Sequence, residues 1–175
     1  MSTTTWIGKS AARREDAPLI RGKGCYIADI APPGVVQMAI LRSPFPHARI
    51  NSIDTSAALA LDGVHLVLTA ADLEGIGAFP TLWRLPGQKH SDTPALAGDK
   101  VRYVGEPVAA VVADTRYIAE DALGLVDVDY DVLDHVVDTE KAIEDGAPVI
   151  NEVWGDNIVI DYTFPGVNAL GEEGD

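Results

Sequence analysis

The chain has 175 residues, of which 47% are hydrophobic and 23% charged, the composition of a globular domain that builds a core without staples. Thirteen lysines and arginines against 27 aspartates and glutamates leave a net charge of −14. So acidic a surface repels phosphate backbones and anionic membranes, and neither nucleic acid nor membrane is expected as a partner. A single cysteine, Cys25, excludes an internal disulfide and any thiolate cluster.

Residues 1–33 are rich in glycine, proline and charge and lack periodicity, so they read as an extended N-terminal arm with a turn at Arg21-Gly22-Lys23-Gly24. Lys9, Arg13, Arg14, Arg21 and Lys23 make this arm basic. Two readings are open: it docks on an acidic neighbour, or it is simply solvated. Met1–Trp6 lacks the charged and apolar regions of a signal peptide. No apolar run approaches the ~20 residues that span a bilayer. The expected location is the cytoplasm.

Val35–Leu41 is an apolar run of strand length, ended by Pro44 and Pro46, which cannot donate to a ladder. A second strand is predicted over Arg49–Ile53. A short helix through Ala57–Leu61 follows, capped by Asp54 or Thr55 and stopped by Asp62-Gly63. Val64–Leu68 reads as a buried strand, with His65 as a core residue. Thr69 and Asp72 have capping-box spacing and predict one helical turn. From Leu73 to Gly98 the pattern lapses around Trp83 and His90, a length uncommon for a structureless loop in a compact domain.

Lys100–Val104 reads as a strand, Gly105-Glu106-Pro107 as a turn, and Val108–Ala113 as a central, fully apolar strand. Asp114-Thr115 caps a helix whose Ile118, Ala122 and Leu125 share a face. Val126–Asp131 alternates, which predicts one buried and one wet face. Asp138 caps a last helix over Thr139–Asp145, and Ile158–Phe164 is a terminal strand signal. The order is strand–helix–strand twice, a two-layer α+β arrangement with the helices on one sheet face.

No self-sufficient catalytic site emerges. Asp127, Asp129 and Asp131 alternate on a strand rather than forming a calcium loop. Arg21–Gly24 lacks the spacing of a phosphate loop and no helix follows it. His47, His65, His90 and His135 lie in separate elements with no second ligand at metal spacing. Glu106 is the best-placed lone carboxylate, but general acid–base work normally needs a second group. Catalytic, cofactor-binding and metal-binding residues are therefore expected to be none.

Four stretches carry a resemblance. They are Ile7-Gly8 with Arg13–Asp16 and Arg21–Ile30; Arg42-Ser43-Pro44 with His47–Ile50, Ser52–Ser56 and Val67–Leu73; Val101–Ala113; and Val126–Tyr130 with Gly155-Asp156-Asn157. In order and spacing they resemble the start of the molybdopterin-binding large subunit of the xanthine dehydrogenase, aldehyde oxidase and carbon monoxide dehydrogenase family.

The resemblance implies an α/β hammerhead domain over residues 34–150, with 151–175 starting a linker or strand toward a molybdopterin-binding region. It implies a non-catalytic structural and interface domain of an oxidoreductase that hydroxylates aldehydes or N-heterocycles, or oxidises carbon monoxide. Molybdopterin, [2Fe–2S] clusters and FAD are then expected in the complete complex and none on this chain alone. The implied partners are the remainder of the large subunit or a separate molybdopterin-binding chain, an iron–sulfur small subunit and an FAD subunit. Family large subunits run several times longer, which implies a split subunit or a fragment. The other reading is a stand-alone binding or adaptor module of the same fold, with the Trp83 loop as a ligand lid.

Overall fold

The computed structural model describes residues 7–90 and 93–162, and the chain divides into two compact units, Met1–Val35 and Val36–Asp175. The arm is not wholly extended. A single helical turn, α1 (Asp16–Leu19), closes through Leu19 N–H to the Glu15 carbonyl at 3.1 Å, and Ile27–Asp29 forms a 3-10 turn. Turns of three or four residues are too short to show a period in sequence. The expected turn at Arg21–Gly24 is present, with Lys23 N–H donating to the Pro18 carbonyl at 2.8 Å.

The second unit holds, among the described residues, six strands in two antiparallel three-stranded sheets. In chain order its elements are β1 (Gln37–Arg42), β2 (Ala48–Asp54), α2 (Ser56–Leu59), β3 (Val64–Leu68), β4 (Lys100–Val101), β5 (Pro107–Ala113), α3 (Arg116–Leu123) and β6 (Asp127–Val132). The first sheet has the order β1-β5-β3 and the second β4-β2-β6. The α+β class and the central position of β5 are as expected. Both strand–helix–strand units exist, but neither builds one sheet: β2-α2-β3 leaves the second sheet for the first, and β5-α3-β6 makes the return.

Two cores follow from the two sheets. On one face of the first sheet Val67, Val111 and Ala113 meet Ala58 of α2 and Ala119 and Ala122 of α3, all buried. Alanines on the inward helix faces let the backbones approach the sheet closely. Thr115 caps α3 as expected, its Oγ1 accepting Ile118 N–H at 3.3 Å. Gly63, at φ +85°, precedes β3 where a Cβ would stand 2.9 Å from Ile118, so both turn and packing require glycine. The second core joins Ala48, Ala97, Val101 and Val108, flanked by Phe45 and Tyr130, whose rings meet edge to face at 5.2 Å.

Other expectations are corrected. β3 is half-exposed rather than buried, because only one of the first sheet's faces carries helices. The strand predicted over Lys100–Val104 stops at Val101, where the chain turns through Gly105, at φ +90°. The helix predicted over Thr139–Asp145 is one 3-10 turn, Lys141–Ile143; Asp138 Oδ1 still accepts Glu140 N–H at 3.0 Å. Ile158–Tyr162 forms no strand, and residues 163 and 164 lie outside the described residues. At Thr69 the capping box forms as predicted, with Asp72 Oδ2 accepting the Thr69 N–H at 2.7 Å and its Oγ1–H at 2.9 Å.

Candidate functional site

The residues that the sequence brings forward meet at one place, where β1 runs out and β5 begins. Arg42 Nη1 donates to the Gly105 carbonyl at 2.8 Å, Ser43 N–H to the Glu106 carbonyl at 2.9 Å, and Gly105 N–H to the Ser43 carbonyl at 2.8 Å. Glu106 is 4% exposed, and its Oε2 accepts the Arg102 backbone N–H. Burial pushes its carboxyl above the usual range, against the downward pull of that hydrogen bond. The lone carboxylate thus closes the tight turn between β4 and β5.

Beside this turn lies a cavity of about 530 Å³, lined by Arg102, Tyr103, Glu106, Ile150, Asn151 and Trp154 among others. Its far wall is held by two lysines. Lys100, whose side chain is 4% exposed, donates to both Glu152 oxygens at 2.5 and 2.6 Å and to the Ile150 carbonyl at 3.2 Å. That hydrogen bond holds the Glu152 carboxyl below its usual range. Lys89 pairs with Asp156 and reaches the Trp154 carbonyl at 3.2 Å. Asn157 uses its amide three ways, donating to the Ala142 and Pro148 carbonyls at 3.0 and 2.9 Å and accepting from Ile150 N–H at 3.0 Å. Gly155-Asp156-Asn157 is therefore a structural knot. The Lys100–Glu152 pair was missed in the sequence, because 52 residues separate its members and no spacing rule reaches that far.

The remaining candidates stay apart. His47 is buried, its Nδ1 2.8 Å from the Asp134 carbonyl, and its Nε2 has no hydrogen-bond partner among the described residues. His65 is not a core residue: a β-bulge between Val64 and Leu66 leaves it out of register, and its half-exposed Nε2 sits 2.7 Å from Asp114 Oδ1. His90 and His135 are exposed. Asp127, Asp129 and Asp131 all lie on the wet face of β6, where Asp129 Oδ2 accepts Asn51 Nδ2–H at 3.3 Å. No group of three His, Cys, Asp or Glu suited to a metal ion occurs among the described residues. Among them, too, no helix is long and apolar enough to cross a membrane. The long loop gains one bridge, Phe79 to Thr93, and leaves Leu82 and Trp83 exposed.

Known proteins share this chain's sequence pattern and fold. The family model for the aldehyde oxidase and xanthine dehydrogenase a/b hammerhead domain matches residues 21–134. The nicotine 6-hydroxylase large subunit of Paenarthrobacter nicotinovorans is 45% identical over 90% of this chain and 19% of its own length. The carbon monoxide dehydrogenase large chain of Hydrogenophaga pseudoflava is 44% identical over 81% and 17%. The crystal structure of quinoline 2-oxidoreductase from Pseudomonas putida 86 superposes with a TM-score of 0.84 at 42% identity, covering 90% of this chain and 20% of that one. The chain thus spans about a fifth of the length of these relatives. It belongs to the aldehyde oxidase and xanthine dehydrogenase family and carries that family's α/β hammerhead domain.

Proposed function

We propose that this chain is the non-catalytic hammerhead domain of a molybdenum hydroxylase large subunit, supplying structure and subunit contacts to an enzyme whose chemistry lies in other polypeptide. One observation carries the reading: the residues that mark the family, Arg42, Ser43, Gly105 and Glu106, hydrogen-bond to one another or to neighbouring backbone. Groups engaged in this way brace a fold; they are not poised for proton transfer to a substrate.

The chain's own donor set does not fit the cofactors that the family implies. A [2Fe–2S] cluster takes four thiolates, and this sequence has one cysteine, Cys25. The turn at Arg21–Gly24 is followed by the three-residue 3-10 turn Ile27–Asp29, too short to gather the aligned amides that hold a phosphate. No reaction step is assigned to these residues. In the complete complex, molybdopterin, iron–sulfur clusters and FAD are assigned to the remainder of the large subunit or a separate chain, an iron–sulfur subunit and an FAD subunit. The aldehyde, N-heterocycle or carbon monoxide substrate is likewise assigned to that remainder. The residue domains 1–33, 34–150 and 151–175 remain the working division, and the exposed thiol of Cys25 suits a reducing cytoplasm.

The test is co-purification of the 175-residue chain with the products of its neighbouring genes. A molybdopterin-binding polypeptide is expected to accompany it; its consistent absence sinks the reading. Tight binding of a small molecule in the cavity beside Glu106 by the isolated chain would instead favour the stand-alone module.

A further inference from the structure

Among the described residues, helices cover the first sheet on one side only. Side chains alternate along a strand, and Ala39, Val67, Val111 and Ala113 face α2 and α3. Their neighbours therefore point the other way. Strand register aligns them in two rows across all three strands: Met38–Val112–Leu66 and Ile40–Ala110–Leu68. All six are apolar. The inner row is largely covered, with Ala110 5% exposed, and beyond it Val108 enters the second core. The outer row is open, with Met38 59% and Leu66 43% exposed.

We propose that this face is the docking surface for the remainder of the large-subunit polypeptide. The inference rests on the hammerhead reading and adds to it which face is covered. An apolar sheet face continuous with a core is normally closed by a second layer, and among the described residues no helix or strand layer closes the outer row at Met38 and Leu66. The curated relatives carry about four-fifths of their length outside the region matched here. A second copy of the chain is the poorer occupant, because two bodies each carrying −14 repel one another.

The experiment co-expresses the 175-residue chain with the remainder of the large subunit supplied as a second polypeptide. Met38→Lys and Leu66→Lys place charge at positions that are already half wet, and Tyr117→Lys, on the exposed side of α3, is the control. Both platform variants are expected to retain the circular dichroism of the parent and to lose at least tenfold in recovered partner, while the control retains it. A second readout needs no variant. Peroxide oxidises an exposed thioether, so Met38 should convert to sulfoxide in the isolated chain and be protected at least fivefold in the complex.

Recovery of the partner by wild type and lysine variants alike, or equal oxidation of Met38 in both states, overturns the docking face and leaves the hammerhead reading standing. Failure of the wild-type chain to retain any such partner overturns both. A wild-type homodimer that the lysines dissociate would assign the face to a second copy and overturn this proposal.

Discussion

The two sheets are stabilised in different ways. The first is closed by helices that adjoin its own strands closely in sequence: four residues separate α2 from the β3 it precedes and two separate α3 from the β5 it follows. Its core of alanines and valines is apolar throughout. The second sheet lacks such helices and adds distant polar ties to a smaller apolar core, with Lys100 reaching Glu152 and His47 reaching the Asp134 carbonyl. A local apolar closure yields a cooperative core. A closure by long-range hydrogen bonds yields a part that can open separately and that answers to pH.

The largest way to test this contrast is Val111→Asp. Val111 is fully buried between β5 and the helices, and an unpaired carboxylate there costs several kcal/mol. The first sheet should unfold and take the second unit with it, seen as a lost thermal transition. Survival of a folded second sheet would show that the sheets are independent.

Lys100→Met is expected to cost about 2 kcal/mol, the worth of hydrogen bonds to a charged group. Glu152 is left at the surface, so no charge is stranded. Hydrogen exchange should quicken at the Trp154 and Gly155 amides and stay slow in β5. Uniform quickening would mean that the two closures are not separable.

The carboxylates of Glu106 and Glu152 should answer to pH with opposite signs. Glu106 has a folded-state pKa raised by burial, so the folded form favours its proton; stability is highest below the unfolded value and falls as pH rises through the folded one. Glu152 is held low by Lys100, so its contribution is present above the unfolded value and lost as pH falls through the folded one. Relative to wild type, Glu106→Gln should therefore gain stability as pH rises from acid through the carboxylate range to neutrality, and Glu152→Gln should lose it. Parallel curves for the two would refute the assignment of burial as the dominant cause at Glu106.

The smallest effect is expected at Asp129→Asn, on the wet face of β6. An amide oxygen can still accept from Asn51, and the change should stay within about 0.5 kcal/mol by chemical denaturation.

Glu106 shows how far the site was legible. Its place in a tight Gly-Glu-Pro turn was evident. That it would be 4% exposed and bonded to the Arg102 backbone depended on the turn folding back on itself. His65 shows the opposite case. A histidine amid valines and leucines reads as core, but one bulge rotated it outward to Asp114, 49 residues away.

From sequence alone came what short-range physics controls. The apolar run of β5, the alternation of β6, the Thr115 cap and the Thr69–Asp72 box each depend on neighbours within a few residues. Tertiary structure decided which strand joined which sheet, which sheet face stayed open at Met38 and Leu66, and which lysine held the 150s. Those outcomes rest on pairings tens of residues apart, selected by the burial available to the whole fold, and no local pattern encodes them.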